Sequence, residues 1–279
     1  MGNTNRPTLC LGAFVPRYSR ILHKATHEKA QIYSFQDPIP GVLTLPRIPL
    51  IENLVEDEIP PGSNILVEFD PASQWFAVSI GIAAEWLKRG GGVSYNVASQ
   101  PPEEVRLQLG KAGLDIKELE TEERLRVWDW YTVTLGQKST EKLAIDSLKA
   151  ADLSIFFARV QMRTSLDEPG TRLLIQDDIS VLDRFNDAKS WVEFELSRDF
   201  PDKKMRKLTQ IGGLIRGVLD DWVYRRLEAS SDAVIDFKLD ESGGKVRNLI
   251  RVRVMRNLRF DSSWQPVKVN ENFELTLEK

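Results

Sequence analysis

The chain has 279 residues, 42% of them hydrophobic and 28% charged, and a formal net charge of −3 at pH 7. That length holds one large α/β domain plus an extension, and the slight acidity excludes wholesale coating of nucleic acid. The single Cys10 excludes an internal disulfide, no apolar run approaches the roughly 20 residues of a membrane span, and no signal-peptide core opens the sequence, so a soluble cytoplasmic protein without a membrane partner is expected.

Residues 1–47 read as a Pro-rich N-terminal extension. Pro7, Pro16, Pro38, Pro40, Pro46, Pro49, Pro60 and Pro61 are eight of the fourteen prolines in the chain, and their missing N–H groups leave little interior helix or strand before residue 62. A short helix is predicted near Arg20–Ile32. His23 and His27 lie one turn apart on it and read as a metal pair or as a solvated face; with no Cys partner and no acidic third ligand at a defined spacing, no metal is expected. The extension as a whole reads as an arm that packs on a neighbouring subunit or partner.

From Ile59 to Val105 the pattern is strand, tight loop, helix, Gly-rich stop, second strand and a Pro-started helix. Ile65, Leu66 and Val67 form a compact apolar run within Ser63–Phe69, as a strand covered on both faces requires. Between Trp75 and Lys88 the positions Trp75, Phe76, Ser79, Ile82, Ala83, Trp86 and Leu87 recur at helical spacing, and Lys88 and Arg89 suit the negative end of the helix dipole before Gly90 ends it. A phosphate-binding loop belongs between these two elements. The residues there are Phe69, Asp70, Pro71, Ala72, Ser73, Gln74, Trp75 and Phe76.

The order of these elements resembles the KaiC-like branch of the RecA superfamily, in its archaeal, single-domain form, whose loop reads roughly V-S-G-P-P-G-S-G-K-T-T. The resemblance implies a RecA-like P-loop NTPase fold over residues 48–279: a mainly parallel central sheet flanked by helices, with a C-terminal antiparallel β-hairpin. It also implies which groups would work on a nucleotide, and they are replaced. Phe69, Ala72 and Gln74 stand where glycines let backbone N–H groups turn onto phosphate. Trp75 and Phe76 stand where a lysine and a magnesium-holding hydroxyl belong. Each lost charge-assisted contact is worth on the order of 1.5–3 kcal/mol, so the pair costs roughly two to four decades of affinity. Asp70 adds a negative charge beside the phosphate position. Ile48–Ser63 resembles the lead-in of the same family, with Glu56, Asp57 and Glu58 in place of small residues.

Further along, Ala98-Ser99-Gln100-Pro101-Pro102-Glu103-Glu104 keeps the helix start of the family motif and loses the glutamate that polarises water. Pro102 suits the first helical turn and the two glutamates its positive end. Ser99 or Gln100 could orient a water, but neither is a good general base. Leu114-Asp115-Ile116 resembles the turn before a third strand, predicted at Leu125–Thr132. Trp128 and Trp130 share one face of that strand, with Asp129 on the other, and read as a base-stacking pair or as core.

Lys149–Arg163 resembles the helix before the Walker B strand, and Arg172–Ser180 that strand itself. Asp177 then occupies the magnesium-ordering position, the one catalytic feature kept. Asp177 and Asp178 are read as caps of a following helix, predicted over Val181–Arg198. Thr209–Gly217 reads as a strand, with Gly212 and Gly213 where a γ-phosphate sensor is often polar; Asp220 and Asp221 start a helix through Leu227. Ser231–Phe237 and a return strand after Gly243 and Gly244 form a hairpin.

On the return strand Lys245, Arg247, Arg251, Arg253 and Met255 are predicted on one face, with Val246, Ile250, Val252 and Val254 buried on the other. The resemblance implies a subunit edge here, where relatives use Lys-Met-Arg to reach nucleotide on the next protomer; Val254-Met255-Arg256 lacks the lysine. Arg251, Arg253, Arg256 and Arg259 are the interaction candidates, for an acidic neighbour or a nucleic-acid backbone, against a solvated edge kept from other strands by charge. The expectation is a pseudo-ATPase with a degenerate Walker A loop and no catalytic residue, binding no ATP or magnesium in the usual mode. It would act as a structural or regulatory protein-interaction module, in signal transduction, in a homo- or hetero-oligomer or beside an active paralogue. The alternatives are a nucleotide- or ligand-binding ATPase with a remodelled pocket, in which Trp75 stacks a ring and Asp177 or Asp70 acts on it, and a nucleic-acid-binding recombinase paralogue.

Overall fold

The strand Asn64–Phe69 (β1) is buried at every residue and lies in the middle of the sheet, because Ile65, Val67 and Phe69 face one apolar layer while Leu66 faces another. The structure, a computed structural model, describes residues 47–163 and 170–278; Cys10, the helix predicted at Arg20–Ile32 and the pair His23 and His27 lie outside them. Among the described residues no helix is long and apolar enough to cross a membrane.

The helix Trp75–Lys88 (α1) follows β1, and Gly92–Val97 (β2), Pro102–Lys111 (α2), Ile116–Thr121 (α3) and Leu125–Asp129 (β3) come next. Pro102 opens α2 in its first turn, and Asp115 caps α3 by accepting from the Glu118 N–H at 3.0 Å. A short turn of helix, Tyr131–Thr134 (α4), replaces the end of the predicted third strand: the Asp129 carboxylate accepts from the Thr132 N–H and hydroxyl and bends the chain. Trp130 is buried just past β3, and Trp128 meets the Phe156 ring edge-on at 5.2 Å, so both belong to the core.

The helix Ala150–Arg163 (α5) and the strand Arg172–Gln176 (β4) follow. The single helix expected over Val181–Arg198 is in fact a 3-10 turn, Ser180–Arg184, and a second start at Ala188–Phe194 (α6). Asp187 caps that start through the Ser190 N–H and hydroxyl, and a π-turn, Glu195–Asp199, leads on into Phe200–Arg206 (α7). Thr209–Ile215 (β5), Asp221–Ser230 (α8), Ala233–Asp240 (β6), Arg247–Met255 (β7), Gln265–Val269 (β8) and Leu275–Leu277 (β9) complete the order.

The nine described strands form one sheet, β3-β2-β4-β5-β1-β6-β7-β8-β9. From β3 to β6 the pairs are parallel, and from β6 to β9 antiparallel. Residues of α1 and α2 pack with Val67 and Phe69 on one face; Leu153 of α5, Trp191 of α6 and Leu227 of α8 pack with Leu66 and Leu214 on the other. With parallel strands, the loops after β1, β4 and β5 all emerge at the carboxyl end, where ligands of open α/β sheets bind.

One correction follows from the β6–β7 pairing. Ile235 pairs with Val252 and Val234 with Val254, leaving Arg253 as an extra residue in β7. This bulge reverses the alternation beyond it, so Met255 is buried and Val254 is 38% exposed, opposite to the strict period of two. Val246, also expected inside, is exposed before β7 begins. Nor is β7 a sheet edge over its first half, since β8 pairs with Asn248–Ile250; the outer side of Arg251–Met255 carries no strand among the described residues.

Candidate functional site

The loop from Asp70 to Gln74 joins β1 to α1 and uses its own N–H groups. The Asp70 carboxylate accepts from the Ala72 N–H at 3.0 Å, and the Asp70 carbonyl accepts from the Ser73 N–H at 2.9 Å and the Ser73 hydroxyl at 2.6 Å. Gln74, at the start of α1, donates its N–H to Asn248 Oδ1 of β7 at 2.9 Å, and Asn248 Nδ2 donates back to Gln74 Oε1 at 2.8 Å. No residue between Phe69 and Phe76 has a positive φ. The backbone therefore lacks the left-handed turn that aims successive N–H groups at one anion. Pro71 and Ala72 are exposed at its tip.

Trp75 fills the space beneath this loop. Its side chain is 1% exposed, stacks on Phe69 with centroids 5.9 Å apart, and meets Phe237 of β6 edge-on at 6.1 Å. The indole Nε1 donates to the Asp177 carbonyl at 2.9 Å, so the ring bridges the ends of β1 and β4 across β5. Phe76 packs edge-on against Phe69 at 5.5 Å. Gly213 makes this possible: a β-carbon there would lie 2.3 Å from the Asp177 carbonyl oxygen and 2.5 Å from Trp75 Nε1. The pair Gly212-Gly213, read from sequence as the loss of a sensor, thus has a packing cause at its second position.

Asp177 is fully buried and does not cap the following turn. Its Oδ1 accepts from the Ala98 N–H at 2.8 Å, and its Oδ2 accepts from the Ser99 N–H at 3.3 Å and from the Ser99 hydroxyl. Nor does Asp178 cap it: the turn starts at Ile179 with no side-chain cap, and Asp178 Oδ1 accepts from the Ser180 N–H at 2.8 Å in the bend leading into it. Burial pushes the Asp177 carboxyl up to about 6 against the lowering effect of the Ser99 and Ala98 donors. Burial likewise raises the Tyr95 phenol, which is 2.7 Å from the Ser79 hydroxyl. Ser99 thus serves the carboxylate, and Gln100 pairs with Gln108 of α2.

The four arginine candidates do not form one free stripe. Arg251 Nε lies 2.7 Å from Asp236 Oδ2, and its guanidinium stacks 4.4 Å above the Trp264 ring. Arg253 lies among Glu68 at 2.6 Å, Glu228 at 3.0 Å and Asp236 at 3.3 Å. Its contact with Glu68 is an ion pair whose facing atoms are misaligned for a hydrogen bond. Arg256 donates to the Ser231 and Ala229 carbonyls and so closes the end of α8. Arg259, 76% exposed, lies 3.3 Å from Glu56 and 3.7 Å from Asp57 of the acidic lead-in. Sequence reasoning missed Asn248 and Arg216, whose contacts depend on chain crossings that no local pattern announces.

No family model matches the chain, and a search among curated proteins finds no match. Among solved structures it is similar to a KaiC-like protein from the hyperthermophilic archaeon Pyrococcus horikoshii OT3. The two share 16% sequence identity over 83% of this chain and 96% of that one, with a TM-score of 0.62. The fold is that of a KaiC-like, RecA-type domain. The similarity extends to the architecture and not, at this identity, to the chemistry of the loop.

Proposed function

We propose that this KaiC-like fold has given up ATP hydrolysis and acts as a structural or regulatory protein-interaction module, in an oligomer or beside an active paralogue in the cytoplasm. The carrying observation is the closed loop: the N–H groups of Ala72, Ser73 and Gln74 are bonded within the chain, and the Trp75 indole occupies the volume below them. The residues present do not fit a magnesium triphosphate. No ammonium group or hydroxyl stands at positions 75 and 76, and Asp70 puts a carboxylate where phosphate charge would lie. Asp177, bonded to Ala98 and Ser99, is accounted for as a link between the ends of β4 and β2.

Titrating the full chain with labelled ATP and magnesium tests this reading. The expected result is no binding in the micromolar range and no turnover above that of an Asp177→Asn variant. Micromolar binding, with turnover lost in that variant, would falsify it. Arg256 is taken up by the Ser231 and Ala229 carbonyls and Arg259 faces Glu56 and Asp57, so the four arginines offer no continuous stripe to a nucleic-acid backbone, which favours a protein partner.

A further inference from the structure

On the face of the sheet opposite Val67 and Phe69, Glu68 of β1 and Asp236 of β6 are register neighbours, and both are buried. Two adjacent carboxylates out of water need cations, and three guanidiniums supply them from above. Arg216, from the loop after β5, reaches Glu68 at 3.5 Å and Asp236 by a shorter contact, both through Nη2. Arg251 reaches Asp236 through Nε, and Arg253 reaches Asp236 through Nε and Glu68 through Nη2. Arg216 and Arg251 are therefore each held through one nitrogen, and Arg253 through two. Nε and Nη1 of Arg216, Nη1 and Nη2 of Arg251 and Nη1 of Arg253 have no acceptor among the described residues. The three side chains are 40%, 34% and 32% exposed, so the cluster reaches the surface of the sheet face. Lys238 stands on the same side of β6, two residues from Asp236, with its ammonium 4.4 Å from the centroid of the Trp264 ring.

We propose that Arg216, Arg251, Arg253 and Lys238 form a binding site for an oxyanion, a carboxylate or a phosphate group, on the β1–β6–β7 face of the sheet. Guanidiniums already fixed by buried carboxylates lose little rotamer freedom when a second anion arrives, which is the condition for a tight, planar contact. The local charge favours it. Glu68, Asp236 and Glu228 face the three guanidiniums, while Asp240 has both Arg247, at 3.3 Å, and Lys238 as cationic neighbours, which leaves one cation over. Burial, together with the neighbouring Glu228 carboxyl, pushes the Glu68 carboxyl up to about 7 against the pull of Arg253, so below that pH one more guanidinium charge is unmatched. The site is independent of whether the loop before α1 takes nucleotide.

The test is thermal unfolding of the full chain at pH 6.5 in sodium phosphate, in sodium succinate and in sodium chloride at matched ionic strength. Phosphate, succinate or both are expected to raise the midpoint beyond chloride; phosphate alone would assign a phosphate ligand and succinate alone an acidic side chain. In an Arg216→Gln, Arg251→Gln double variant the apparent affinity falls ~10-fold or more, as loss of a charge-assisted pair predicts. Lys238→Gln keeps every ion pair to the buried carboxylates and weakens binding less; it stands in if circular dichroism shows the double variant unfolded. No shift beyond chloride, or the same shift in both variants, overturns the proposal.

Discussion

The two sides of β1 solve the same problem in opposite ways. Toward α1, Val67 and Phe69 meet Trp75, and every N–H of the adjoining loop from Ala72 to Gln74 is bonded within the chain. Toward α8, Glu68 takes a carboxylate into the sheet and must be matched by arginines that remain partly in water. The apolar side is closed and stable without a ligand. The charged side is held together by contacts that leave donors over, and on this difference rests the proposal that the second side, rather than the loop before α1, meets another molecule.

The largest break in this contrast should come from the closed side. Replacing Trp75 with Ala removes a buried indole and its bond to the Asp177 carbonyl, and should cost about 3–5 kcal/mol in denaturant unfolding. A loss under about 1 kcal/mol would mean that the ring is not the closure described. Asn248→Ala is smaller: it removes both amide contacts with Gln74 and should cost about 1–2 kcal/mol, with the same unfolding measurement as readout.

The charged side should show itself in pH dependence. The folded-state carboxyl of Glu68 lies at about 7 against 4.5 for the free group, so the native state holds its proton more tightly than the unfolded chain does. The stability this contributes is fully present below about pH 4.5 and is lost as pH rises to about 7. Asp177 adds a slope of the same sign between 3.8 and about 6. Comparing Glu68→Gln with the parent chain by unfolding at pH 5, 6, 7 and 8 isolates the first contribution: the variant should decline less between pH 5 and 7, keeping only the Asp177 part, and run parallel to the parent above it. Parallel curves throughout would show that Glu68 is charged across the range.

What could be read in advance follows from how local each cause is. The bounds of α1, Trp75–Lys88, and the Pro102 start of α2 are written in side-chain spacing, capping charge and a Gly stop, all within a few residues. That a tryptophan, Trp75, opens this helix is equally plain from sequence, and the structure adds where the ring goes. The misses are of two kinds. Asn186-Asp187 breaks an apparently continuous helix because a side chain caps a new one there, a signal outweighed by the apolar spacing around it. The bulge at Arg253, the turn of Asp177 toward Ala98 and Ser99, and the clustering of Arg216 with Asp236 arise from pairing between distant strands, which periodicity along one strand does not contain.

The mutual amide contact of Gln74 and Asn248 joins residues 174 positions apart. During synthesis the first turn of α1 leaves the ribosome long before its partner exists, so through most of translation that turn lacks the acceptor that later completes it. The last third of the polypeptide is thus what finishes the first, and a chain cut short before β7 would expose at the start of α1 an N–H that the full-length molecule keeps covered.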